Sequence, residues 1–195
     1  MSAADECLTG PLPGLGRPTH GYLQHYGVMA ADLRWDEVRS LFDPDLMGAL
    51  PDLGVPGTST HDWQLLLDLV TSSGWRSEYA EGQVVTPLPR AETILSRPTG
   101  AECPSLRVWP TPRMLVIFRF SSPTEIDFDV DLREIRGQEA LDEFCGFVKT
   151  IGQRLGKPVL MDAEGGDPCV HPVLGYDVKA DRFFFRTDSV PSPVR

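Results

Sequence analysis

The chain has 195 residues, 41% of them hydrophobic and 24% charged, enough for one domain with a full core. Its formal net charge is −10, from 28 Asp and Glu against 18 Lys and Arg; such a surface repels nucleic-acid phosphates and anionic lipid, so neither is expected as a partner, and it suits a cationic protein. No apolar run reaches the roughly 18 residues of a membrane span, the start MSAADECLTG lacks a basic region followed by an apolar stretch, and the expected compartment is the cytoplasm.

Residues 1–20 are rich in glycine and proline and carry no periodicity, which predicts a flexible segment ahead of a single domain over 21–187, with 188–195 as a frayed tail. Tyr22, Leu23, Tyr26, Val28 and Met29 suggest a short strand or turn. A helix is expected over 35–41 with Asp32 as its cap, and the steps Asp43-Pro44 and Leu50-Pro51 read as breaks. Ser59 and Thr60 precede Trp63, Leu66, Leu67 and Val70 at helical spacing, and Gly74 ends that run.

From Gly82 onward the texture becomes that of strands. Val84 and Val85 lead into Pro87 and Pro89, which suits a sheet edge, and the polar stretch 97–104 reads as a loop. Three β-rich runs follow, 106–109, 114–120 and 126–131, separated by Pro110-Thr111-Pro112 and Ser121-Ser122-Pro123; gaps this short predict an antiparallel meander. MLVIFRF is apolar almost throughout, as for a strand covered on both faces, whereas IDFDVD alternates, as for a strand with one wet face.

The clearest pattern lies between Gly137 and Pro158. Leu141, Phe144, Cys145, Val148, Ile151 and Leu155 recur at three- and four-residue spacing, with Glu139, Asp142, Glu143, Lys149, Gln153 and Arg154 opposite them. Gly137 opens this helix, Gly156 stands where a left-handed cap belongs, and Pro158 forbids continuation. Strands are expected at 159–161, 173–176 and 182–186, with a glycine-rich bend, AEGGDP, after the first and a hairpin loop, DVKAD, before the last. The whole order predicts an α+β fold, an antiparallel or mixed sheet with helices packed mainly on one face.

Candidate chemistry is sparse. Cys7, Cys103, Cys145 and Cys169 form no CxxC pair and read as free thiols; neither phosphate-binding glycine motif is present, and no cofactor is expected. Asp127, Asp129 and Asp131 share a strand face, but Phe128 and Val130 between them point inward and no calcium-loop glycine or glutamate follows, so a solvated face is the simpler reading than a metal site. Glu164, Asp167 and His171 lie in the bend over 162–171, where an acid and a histidine offer general acid–base groups to a small hydrolase-like enzyme, although no nucleophile elbow or zinc ligand set accompanies them. A third possibility is a regulatory interaction module using apolar contacts around Trp35, Trp75 or Trp109.

The charge itself is uneven. Between Thr124 and Glu143 eight acids face only Arg133 and Arg136, a local balance of −6. Trp63-Gln-Leu-Leu-Leu-Asp with Gly74-Trp75, the meander ending in IDFDVDLREI, the run GQEALDEFCGFVKTIGQRLGKPVLM and the closing YDVKADRFFF together resemble the small acidic immunity proteins of bacterial polymorphic-toxin systems, over about residues 60–186. The resemblance implies a protein without catalysis of its own that neutralises a cognate toxin by covering its active site. A toxin with a basic cleft would be steered to the acidic segment, so Asp127, Asp129, Asp131, Glu134, Glu139 and Glu143 are the expected partner-binding residues.

Overall fold

The structure, a computed structural model, describes residues 28–30, 32–98, 101–165 and 172–185. Ten strands form one sheet: β1 (Val28–Ala30), β2 (Asp52–Pro56), β3 (Arg76–Glu81), β4 (Val84–Thr86), β5 (Ser105–Thr111), β6 (Met114–Arg119), β7 (Glu125–Val130), β8 (Val159–Asp162), β9 (Leu174–Asp177) and β10 (Arg182–Phe185). Their order across the sheet is β1-β10-β9-β8-β2-β7-β6-β5-β3-β4. Each pairing is antiparallel, as the short turns require. Five helices accompany the sheet: α1 (Trp35–Val38), α2 (Pro44–Met47), α3 (Thr60–Ser72), α4 (Ala91–Leu95) and α5 (Gln138–Leu155). The chain is therefore α+β, as its pattern predicts.

Helix α5 matches its sequence signature. Its buried face is Leu141, Phe144, Phe147, Val148, Ile151 and Leu155, and Gly156 closes it in the left-handed region at φ 65°. Phe147 belongs to the buried stripe although the sequence reading omits it; it meets Phe128 edge-on at 6.0 Å and Trp75 at 5.5 Å. At Gly152 the helix comes so near the sheet that an added Cβ would stand 2.7 Å from the ring of Tyr176 on β9. Helix α3 starts at Ser59, whose hydroxyl accepts the Asp62 N–H at 3.3 Å, and buries Trp63, Leu66, Leu67 and Val70. Trp63 fills core volume and still donates its indole N–H to the Ser122 carbonyl at 2.9 Å, so the polar end of a large ring is satisfied inside.

Several local expectations are corrected. Helix α1 spans only four residues before a 3₁₀ turn over Arg39–Phe42, and its cap position is Arg34, not Asp32. Pro44 does not break the chain: it opens α2, with Asp43 accepting the Asp45 N–H at 3.0 Å, since proline at a first helical position forfeits only an N–H that has no partner there. β2 and β3, missing from the sequence reading, are interior strands of the sheet. β6 is not covered on both faces. Met114, Val116 and Phe118 are buried, while Leu115 and Ile117 are half-buried and Arg119 is exposed.

β2 is the strand that joins the sheet's two halves. It pairs with β7 on one side and β8 on the other, putting Asp52 opposite both Asp129 and Asp162. Alternation then sends Leu53 and Val55 into the core and leaves Asp52 on the same face as Asp127 and Asp129. The expectations for residues 1–20, for Asp167 and His171, and for the tail lie outside the described residues.

Candidate functional site

The acids singled out in the sequence stand at the surface, and the fold has already provided most of them with partners. Asp129 accepts two hydrogen bonds from the Arg119 guanidinium, at 2.6 and 2.8 Å. Asp127, one pair further along β7, accepts from the Ser121 hydroxyl. Asp131 receives the Arg133 side chain at 2.6, 2.8 and 3.1 Å and the Arg133 backbone N–H at 2.9 Å; these bonds hold its carboxyl below the usual aspartate range, against the opposing effect of its partial burial. Glu134 accepts the Leu115 N–H at 2.9 Å. On α5, Glu139 and Glu143 share Arg113 at 2.7 and 3.3 Å, and Glu143 also accepts from Thr111 at 2.9 Å.

Two arginines outside the sequence window, Arg113 and Arg119, reduce the local balance from −6 to −4. Arg113 and Arg119 sit on the β5–β6 turn and on β6, next to β7 in the sheet but outside the stretch 124–143. Within the acidic segment Asp129 is paired across strands, Glu139 and Glu143 with the β5–β6 turn and Asp131 with its neighbour Arg133.

The loop candidate separates differently. Glu164 holds the chain around α2 in place: its backbone N–H donates to the Met47 carbonyl at 2.8 Å, and its carboxylate accepts the Leu50 N–H at 3.1 Å. Gly48, at φ 80°, has the Glu164 side chain packed where its own Cβ would be. Asp167 and His171, its proposed companions, are outside the described residues.

The tryptophans of the apolar alternative are each in contact. Trp35 packs on Phe42 at 6.1 Å, Trp75 on Phe147 at 5.5 Å, and Trp109 lies under the Arg76 guanidinium at 4.1 Å. Trp75 and Trp109 share an open groove of about 420 Å³ walled by Pro110, Thr111 and Pro112.

A larger concavity lies elsewhere, and the sequence reading passed over it. Between α1–α2 and the link 133–136 is a cleft of about 790 Å³, within the roughly 300–1,000 Å³ usual for binding sites. Its apolar lining is Trp35, Phe42, Leu46 and Ile135, and its carboxylates are Asp36, Glu37, Asp43 and Asp45. Among the described residues Asp36, Glu37 and Asp45 make no ion pair. Arg39, Arg133 and Arg136 also line it. The hydroxyl oxygen of Ser40, another lining residue, is buried with no hydrogen-bond partner, which is uncommon for a buried polar atom.

Long-range bonds hold this cleft open. The Gln138 side chain, at the first turn of α5, accepts the Trp35 N–H at 2.8 Å and donates to the Leu33 carbonyl at 2.9 Å. Leu132 donates its N–H to the Ala49 carbonyl at 3.0 Å. One signal for this region was present in the sequence, the acids Asp32, Asp36, Glu37, Asp43 and Asp45 within fourteen residues of one another; the wall formed by residues 133–136 was not, because it comes from the far side of β7. Among the described residues no group of three or more His, Cys, Asp or Glu is arranged to hold a metal ion, and no helix is long and apolar enough to cross a membrane. Comparison with protein-family models, with curated proteins and with solved structures found no match to this chain.

Proposed function

We propose that this chain is a non-catalytic acidic binding protein and, more specifically, an immunity protein that neutralises a cognate toxin by covering its active site. The observation that carries the reading is where uncompensated charge remains. With a formal charge of −10, the fold pairs Asp129, Asp131, Glu139 and Glu143 with arginines, while Asp36, Glu37 and Asp45, which make no ion pair among the described residues, border a cleft of about 790 Å³. Carboxylates held on a rigid frame and free of their own counterions steer a cationic partner and then meet its Lys and Arg side chains.

The test is to purify the full chain under native conditions from the cells that make it, identify what accompanies it, and express that protein alone and together with this chain. A cationic protein that arrests growth alone and is relieved by co-expression supports the proposal. A partner that is harmless on its own, or recovery of the chain alone, contradicts the toxin reading.

A further inference from the structure

Resting on the reading that the partner is cationic, we infer that its docking site is the cleft between α1–α2 and residues 133–136, and that the occupant is a protein segment combining Lys or Arg side chains with an apolar anchor. Three observations converge on this cleft. The first is charge. Arg133 is bound to Asp131, so four lining carboxylates face two guanidiniums without an ion pair, Arg39 and Arg136, a local balance of −2. An anionic ligand is disfavoured by that balance, and a cationic one is attracted.

The second is apolar surface. Leu46 is 56% exposed at the rim, and Trp35 is half-buried on a floor completed by the buried Phe42. An anchor seated between Leu46 and Trp35 would remove both from water, the arrangement in which interface energy concentrates. The third is the Ser40 hydroxyl, buried and unpartnered beside the cleft; rotation of its side chain towards the cleft would let a backbone carbonyl or N–H of an inserted segment satisfy it. By contrast the β7 carboxylates already have partners, so binding there would first have to break bonds such as those from Arg119 to Asp129.

The experiment uses the full chain and three synthetic peptides of equal length: one alternating Arg or Lys with Leu and Phe, one with the basic residues replaced by Glu, and one with the apolar residues replaced by Gly. Binding is followed by amide and indole NMR shifts of the protein and by anisotropy of the labelled peptide. The expected result is that the basic–apolar peptide alone binds firmly, shifting Trp35, Ser40 and Leu46. Affinity should fall by about tenfold or more in Asp36→Lys/Asp45→Lys and in Leu46→Asp, and stay unchanged in Asp127→Asn/Asp129→Asn. Asp36, Asp45 and Leu46 are exposed and Asp127 and Asp129 half-buried, and unaltered shifts for β9 and β10, which hold none of them, confirm folding of each variant.

Binding of the basic–apolar peptide mapped to β7 or another face overturns the cleft assignment and leaves the cationic-partner reading standing. Failure of every basic peptide to bind anywhere overturns both. Preference for the acidic peptide assigns the cleft to an anionic ligand, and shifts of the same residues that grow with protein concentration alone assign it to a second copy of the chain; either result overturns the inference.

Discussion

Arg119 on β6 grips Asp129 on β7, two positions off the directly opposed pair, with two of its nitrogens on a single carboxylate oxygen at 2.6 and 2.8 Å. The relationship is diagonal because the residue directly across from Arg119 is Asp127, which the Ser121 hydroxyl holds. At that point one guanidinium offsets one of the two neighbouring carboxylates. The Arg119 side chain is 52% exposed and that of Asp129 14%. A double-mutant cycle of Arg119→Met and Asp129→Asn should give a coupling of only about 0.2–1 kcal/mol, weakened by salt; urea unfolding of the four proteins measures it.

Two glycines of α5 should respond with opposite signs to the same substitution. Gly152→Ala would put a methyl 2.7 Å from Tyr176 Cδ1, 2.8 Å from Cε1 and 3.2 Å from the Lys157 carbonyl. The Tyr176 ring has little room to retreat, being fully buried and bonded to Asp181 at 2.7 Å. Overpacking of about 1–3 kcal/mol should exceed the roughly 1 kcal/mol that alanine gains over glycine in a helix. Gly146 has nothing within 4 Å of its ideal Cβ and lies on the exposed side, so Gly146→Ala should stabilise. Thermal unfolding should show the two moving apart by several degrees, since about 1 kcal/mol shifts Tm by roughly 2–4 °C at this size; a gain for Gly152→Ala would mean that α5 does not press on β9 as described.

At alkaline pH three groups act in the same direction. Burial, with help from the hydrogen bond to Glu81, pushes the Tyr79 hydroxyl up to about 12; burial and the bond to Asp181 push Tyr176 up to about 12. Burial, reinforced by Asp142 and Asp32, pushes the Cys145 thiol up to about 12. A group whose folded pKa is raised stabilises the fold below its unfolded pKa and loses that contribution as pH rises through the folded value. Stability should accordingly hold up to about pH 9 and decline from there to about pH 12, with tyrosinate absorbance appearing late. Tyr176→Phe should remove part of the decline, and a flat stability curve over that range would contradict these burials.

Asp131 gives the acid-side counterpart. Its hydrogen bonds from Arg133 lower its pKa in the folded state, so its contribution is present above the unfolded value near 3.8 and is lost as pH falls through the lower folded value. Arg133→Gln should lower the denaturant midpoint slightly at pH 7 and leave it unchanged once Asp131 is protonated in both states, so that the midpoint falls less steeply on acidification.

How much of this was legible depends on how local the cause is. Helix α5 was, because Leu141, Phe144, Val148, Ile151 and Leu155 keep the 3.6-residue period and Gly156 occupies the left-handed cap. The β5–β7 meander was, because its turns are short and β7 alternates cleanly, although the apolar run of β6 concealed its half-exposed face. β2 was not: DLGV between Pro51 and Pro56 carries no strong period, and only its pairing with β7 and β8 far along the chain makes it central. The same limit applied to the site. Acids can be counted in sequence, but that Arg113 and Arg119 would neutralise several of them depends on sheet register, and that Asp36, Glu37 and Asp45 would border a cleft depends on residues 133–136 folding back beside them.

The most direct measurement is the association rate between the full chain and its purified partner, taken at low and at moderate salt, for two charge-reversed proteins. Asp36→Lys/Glu37→Lys/Asp45→Lys should slow association at low salt by about tenfold or more and flatten its salt dependence, with Asp127→Lys/Asp129→Lys changing it far less. Equal effects of the two sets, or a larger effect of the β7 set, would contradict docking at the cleft.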